Sequence, residues 1–261
     1  MAAMDLEAEY NNRARVAESA AIIAGWARDA AAFREAWPHK RLALPYGPGE
    51  RERLDLFLPM AEDGAAPRAL LIHGGYWQAL DRSWVSHFAR GLVLSGVAVA
   101  VPSYDLCPGV PLTRIVAQMR AAAELLCRDD ARLLAIGHSA GGHLAAMLLA
   151  GGRAGAALPM SGVFELEPLR ATTIGTALNL TAEAARALSP RWMPAPGGPV
   201  HCVVGGDESN EFLRQTRDFA AAWDGSWEAL PGRNHFTVLD PLTDPASPLV
   251  ARARAMAAAL A

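Results

Sequence analysis

The sequence predicts an α/β fold, with a mainly parallel central sheet and helices on both faces. Two observations carry that expectation. Short apolar runs of strand length recur at Ala69–Ile72, Val97–Val101, Arg132–Ile136, Gly155–Met160 and Val200–Val204, with a weaker one at Trp227–Leu230. Most are apolar at successive positions, as strands covered on both faces are. Helix-compatible segments alternate with them at Trp84–Ser95, Leu112–Cys127, Gly141–Leu149 and Glu211–Ala222. Such alternation implies parallel strands joined by crossovers.

The elements before the first run read differently. Asp5 to Trp37 has no proline and is rich in Ala, Glu and Arg, with Val16, Ile22, Ile23, Trp26 and Phe33 at near-helical spacing. A helix is expected there, with Gly25 as a site for a kink or break and its end at Pro38. Arg41–Leu44 and Arg53–Leu58 read as short strands around the turn Tyr46-Gly47-Pro48-Gly49. In the second, Leu54, Leu56 and Leu58 alternate with Asp55 and Phe57, which suggests a half-covered edge strand. Pro59 to Pro67 reads as a polar loop.

One connection is long. Residues 161–198 separate two strands, include a helix-compatible stretch at Thr181–Leu188, and end in the proline-rich run Pro190–Pro199. Long loops at the C-terminal ends of parallel strands are where sites are built, so the segment is expected to form a cap or lid over a pocket. No linker divides the chain, and residues 1–261 are expected to form one domain.

Composition narrows the classes. The 261 residues are 52% hydrophobic and 20% charged, a globular balance. The formal charge of −3, from 24 basic and 27 acidic residues, gives no basis for a nucleic-acid or anionic-membrane partner. The odd cysteine count, Cys107, Cys127 and Cys202, suggests neither a disulfide framework nor a zinc site. Cys127 and Cys202 sit in apolar runs and read as buried thiols. Met1 to Glu9 is acidic and lacks a leader pattern. The longest apolar run, Leu92 to Val101, is about half a membrane span. A cytoplasmic location is expected, with no metal and no cofactor.

The chemistry concentrates in Gly137-His138-Ser139-Ala140-Gly141, a match to G-x-S-x-G. In that motif a strand turns sharply into a helix and the serine hydroxyl stands exposed at the turn. The flanking glycines leave room where side chains would clash across the bend. The context fits: Leu133–Ile136 is a buried-strand run, and Gly142–Leu149 is helix-compatible. The bland alternative is a glycine-rich turn with an incidental serine. A second signal, His73-Gly74-Gly75-Tyr76-Trp77, follows the strand at Ala69–Ile72. Its glycines let backbone N–H groups approach a substrate. Acyl transfer needs such donors, each worth about 3–4 kcal/mol against a developing oxyanion. One donor is expected from this loop and another from Ala140.

A serine nucleophile needs an acid and then a histidine, in that chain order. Asp207 lies just past the strand Val200–Val204, with Glu208 next to it as the fallback. Of seven histidines only His235 follows the acid. His39 precedes the sheet core, His87 lies in a helix, His201 in a strand, and His143 beside the serine motif. His73 and His138 read as scaffolding for their loops. The expected triad is therefore Ser139, Asp207 and His235.

These residues resemble the arylformamidase (kynurenine formamidase) group of α/β-hydrolases and the esterases near it. His73 to Trp77 is similar to that group's H-G-G-x-W pattern. Ser161 to Leu169, Glu9-Tyr10-Asn11, Leu188-Ser189-Pro190 and Asn234-His235-Phe236 look similar too. The resemblance implies an α/β-hydrolase fold, a Ser/Asp/His triad, and hydrolysis of a small ester or activated aryl amide. It implies oxyanion donors at Gly75 and Tyr76, beside Ala140. Gly74, Trp77, Phe164 and Phe236 are the expected substrate contacts, with core packing the plainer reading of each aromatic. The partners expected are a small-molecule ester or amide substrate and a second copy of the chain in a homodimer. The rival functions are a short-chain carboxylesterase and, from a different class, a non-catalytic ligand receptor on a hydrolase fold.

Overall fold

A computed structural model describes residues 4–60, 66–127 and 132–261. Residues 1–3 of the N-terminal stretch and residues 61–65 of the expected polar loop lie outside the described residues. The strands are β1 (Lys40–Pro45), β2 (Arg53–Phe57), β3 (Arg68–Ile72), β4 (Ala98–Pro102), β5 (Leu134–His138), β6 (Ala156–Met160), β7 (His201–Gly205) and β8 (Ser226–Leu230). They form one sheet in the order β1-β2-β4-β3-β5-β6-β7-β8. β1–β2 and β2–β4 pair antiparallel, and every other pairing is parallel.

The apolar runs form strands because both faces of the sheet are covered. Successive side chains of a strand point to opposite faces. Leu70, Ile72 and Ala135 enter one core with α6 (Leu112–Leu126) and α7 (Ala140–Ala150). Ala69, Leu71, Leu134 and Ile136 enter a second core with α3 (Ser19–Ala36) and α11 (Pro248–Ala258). On α6, Leu112, Ile115, Val116, Met119, Ala122 and Ala123 give the 3–4 residue spacing that lays one apolar stripe on the sheet.

Two local expectations fail. β2 is interior, between β1 and β4, and Asp55 is buried. Its carboxylate accepts from Arg82 Nε at 2.9 Å and from the Ala43 backbone N–H at 2.8 Å. The alternating pattern thus reflects a buried ion pair on one face. The N-terminal segment is not one helix broken at Gly25, which lies inside α3. It is α1 (Leu6–Tyr10), α2 (Asn12–Arg15) and then α3, separated at Asn11 and at residues 16–18. Capping accounts for the break at Asn11, whose side chain accepts from the Ala14 N–H, as Asp5 accepts from the Ala8 N–H at the start of α1.

Between β6 and β7 the chain forms α8 (Thr173–Leu178) and α9 (Ala182–Ala187) with single turns on either side. After β7 comes α10 (Asn210–Ala222). The C-terminal ends of β3, β5, β6 and β7 therefore converge on one edge of the sheet, where an open α/β sheet offers its crevice. Among the described residues, no helix is long and apolar enough to cross a membrane.

Candidate active site

Ser139 sits between β5 and α7 with φ 55° and ψ −118°, a conformation sparsely populated by non-glycine residues. Its backbone N–H donates to the Met160 carbonyl at 2.8 Å, tying the turn to β6. A Cβ at position 137 would overlap the Gly141 carbonyl, and one at 141 would overlap the Ile72 carbonyl. The two motif glycines are thus required by close backbone approach on both sides of the serine.

The acid beside His235 is Glu208. Its Oε2 lies 2.6 Å from His235 Nδ1, and both side chains are buried. Its other oxygen, Oε1, accepts from the Gly205 N–H at 2.7 Å and from the Ser161 hydroxyl. A carboxylate only accepts when ionised, so Nδ1 carries the imidazole proton and Nε2 is left as the free base position. The expectation for Asp207 is corrected here. The Glu208 N–H donates to the Gly205 carbonyl at 3.2 Å, which makes 205–208 a tight turn. Gly206 and Asp207 occupy its corners, and Asp207 is exposed. One residue later the chain heads back inward, and the longer glutamate side chain reaches the imidazole.

His138, next to the serine, is a brace. Its Nε2 donates to the His235 carbonyl at 2.7 Å, fixing the loop that carries His235. Burial, and then the neighbouring His235, push its pKa well below 6.5, so the ring is neutral. His73 plays a matching part under the glycine loop. It stacks on Tyr104 with ring centroids 4.1 Å apart, and its Nδ1 donates to the Gly74 carbonyl at 2.8 Å. Burial lowers its pKa to about 4.

Gly75, Tyr76 and Trp77 have φ of 99°, 50° and 57°. Consecutive residues of this kind form a concave nest of N–H groups. At position 75 a Cβ would overlap the Ala79 carbonyl, so glycine is needed on space as well as on φ. The N–H groups of Gly75, Tyr76 and Ala140 donate to no protein group among the described residues. Gly74 lies against the serine: a Cβ there would stand 3.1 Å from Ser139 Cβ. The Tyr76 hydroxyl donates to the Tyr10 carbonyl at 2.7 Å, pinning the loop to the N-terminal helices.

Ser139, His138, His235, Gly75 and Tyr76 line one cavity of about 360 Å³. Its other walls depart from expectation. Phe236 lines it, but Trp77 and Phe164 do not. Trp77 is fully buried with its ring edge-on to His143, and Phe164 is fully buried and stacked on Phe219 at 4.0 Å. Both are core residues, and proximity in sequence to the motifs misleads for each. The expected cap, residues 161–198, contributes Ile174 alone to the lining. Asn11, Asn12, Arg13, Ile23 and Trp26 contribute more, so the N-terminal helices cover the site. Trp26 packs near-perpendicular to His138 at 6.1 Å. A tryptophan and paired asparagines in an alanine-rich segment were the readable signal for this role.

Comparisons with known proteins agree with this geometry. The BD-FAE family model matches residues 54–156. Kynurenine formamidase from Salmo salar is 29% identical over 226 residues, spanning 78% of this chain and 77% of that protein. The protein of the same name from Danio rerio is 28% identical over 223 residues, covering 77% and 76%. A crystal structure from Silicibacter sp. tm1040, described provisionally as a thioesterase, superimposes with a TM-score of 0.89. It is 37% identical and covers 95% of this chain and 98% of that one. An esterase from Pyrobaculum calidifontis, at 16% identity and TM-score 0.73 over 93% of each chain, shares the fold.

Fold and site together define an α/β-hydrolase, a hydrolytic enzyme. The sheet order, the strained serine turn and the likeness to named hydrolases all point the same way. Within that fold the chain is similar to kynurenine formamidases and to esterases.

Proposed function

We propose that the protein hydrolyses a small ester or an activated aryl amide through an acyl-enzyme, with an N-formyl aryl amine of the N-formylkynurenine type as the preferred substrate. The observation that carries this is the buried 2.6 Å contact of Glu208 with His235, at a cavity that also holds Ser139.

In this reading Nε2 of His235 takes the proton of Ser139 while the hydroxyl oxygen attacks the formyl carbon. The N–H groups of Gly75, Tyr76 and Ala140 receive the oxyanion. Glu208 holds the imidazole in the Nδ1–H tautomer and stabilises its cation. The imidazolium then gives its proton to the leaving nitrogen, the C–N bond breaks, and an aryl amine departs. Water, deprotonated by His235, attacks the formyl ester and releases formate, and the proton returns to Ser139. An aryl amine leaves more readily than an alkyl amine because the ring delocalises its electron pair. Trp26 and Phe236 support an aromatic occupant of the cavity.

The likeness to kynurenine formamidases favours the formamide over a simple ester. Comparing kcat/KM for N-formylkynurenine with that for phenyl acetate tests it. The formamide is expected to be the better substrate; formamide hydrolysis at background beside rapid ester turnover leaves a short-chain carboxylesterase. A cytoplasmic location is supported by three cysteines without disulfide partners.

A further inference from the structure

The catalytic cavity does not end at its aromatic wall. A second groove, of about 710 Å³, runs along the Ala20, Ala24 and Ala27 face of α3 toward Trp84. It shares Arg13, Ile23, Ala79 and Leu80 with the first cavity, so the two are continuous. Their linings are apolar apart from a few amides and hydroxyls, His138, His235 and Arg13. Among the described residues, Arg13 is the only Lys, Arg, Asp or Glu that lines either, in a chain with 27 acidic residues.

Arg13 is exposed, at the junction of the two spaces. Its carbonyl accepts from the Ser19 hydroxyl at 3.0 Å, while its guanidinium forms no hydrogen bond or ion pair among the described residues. Some arginines of this protein are paired, Arg82 with Asp55, Arg114 with Glu52, Arg214 with Glu165 and Glu211; Arg13 is set apart from the other unpaired ones by lining the cavity. An unpaired cation beside an apolar cavity without carboxylates gives an anionic ligand an attraction and no local repulsion.

We infer that Arg13 is a specificity-determining residue that binds an anionic group, a carboxylate by chemistry, carried on the leaving side of the substrate. The inference rests on the acyl-hydrolase reading above. A formyl or acetyl group is spent at Ser139 and is too small to reach the cavity mouth. The aryl portion is the part that extends past Trp26 and Phe236 toward Arg13. Because the guanidinium is partly in water, its discrimination is modest, about tenfold.

The test uses two aryl esters of the same acyl group and similar size, 4-acetoxybenzoate and its neutral amide, 4-acetoxybenzamide. The quantity read is the ratio of their kcat/KM values. Arg13→Gln is expected to lower the ratio of anionic to neutral substrate about tenfold, and Arg13→Lys to hold it within threefold of wild type. A ratio that moves by less than twofold in Arg13→Gln overturns the inference. Ser139→Ala run beside them separates the two claims. If that variant still hydrolyses both esters at the wild-type rate, the acyl-hydrolase reading itself has failed, whatever Arg13 does.

Discussion

Glu208 Oε2 lies 2.6 Å from His235 Nδ1, while its neighbour Asp207 faces solvent. The pair separates the two candidate acids sharply. Glu208→Gln presents an amide that favours the wrong imidazole tautomer, and kcat is expected to fall about 10³–10⁴-fold. Asp207→Asn is expected to change kcat by less than about threefold, as a solvated side chain does. Steady-state kinetics of the two variants on one ester check both statements.

Ser161 is a positioning residue for that acid. Its hydroxyl donates to Glu208 Oε1 from the end of β6, together with the Gly205 N–H. Ser161→Ala removes one of the two donors that aim the carboxylate. A buried charge-assisted bond is worth about 1.5–3 kcal/mol, so kcat should drop about 10–100-fold with KM little changed. Ser161→Thr, which keeps the hydroxyl, should retain more activity than Ser161→Ala.

Tyr76 couples the N-terminal helices to the glycine loop, the proposed source of oxyanion donors, through its bond to the Tyr10 carbonyl. Burial raises the phenol's pKa well above 10, so the group remains a donor across the working range. Tyr76→Phe leaves that carbonyl without its partner and loosens the loop. The expected result is a loss of about 1–2 kcal/mol in stability, seen in urea unfolding, and a fall in kcat larger than the change in KM.

Buried histidines set the acid limit. His73, His87 and His143 are held at about 4 by desolvation, and His138 lies well below 6.5. Each is neutral in the fold and protonates near 6.5 when unfolded, so the unfolded state binds more protons between those values. Stability then rises with pH across that window and is lost as pH falls from 6.5 toward 4. The melting temperature should decline between pH 6.5 and 5, above the range where carboxylates titrate. A flat profile across that interval contradicts this account of the four side chains.

Much of the molecule was legible because its signals are local. Eight strand-length runs became eight strands, and the serine turn needs only five adjacent residues to announce itself. The residues missed are those set by three-dimensional approach. Glu208 reads only as the fallback to Asp207, because the two differ by one position in a turn whose corner residues the sequence does not label. Trp77 and Phe164 adjoin motifs yet point into cores, because a strand or loop end sends neighbouring side chains to opposite sides. The N-terminal cover over the cavity depends on where α1, α2 and α3 dock, a long-range contact that helical periodicity does not encode. Asn11 marked the break between α1 and α2 as a capping residue, and the alanine-rich pattern around it masked that mark.

The central claim is that Ser139 is an activated nucleophile. A fluorophosphonate probe, followed by peptide mass spectrometry, tests it most directly, since only a serine with a working base and oxyanion donors reacts rapidly. The account predicts one adduct, on Ser139, formed at a rate that collapses in Glu208→Gln and persists in Asp207→Asn. No labelling of the wild-type protein, or labelling at another residue, would contradict it.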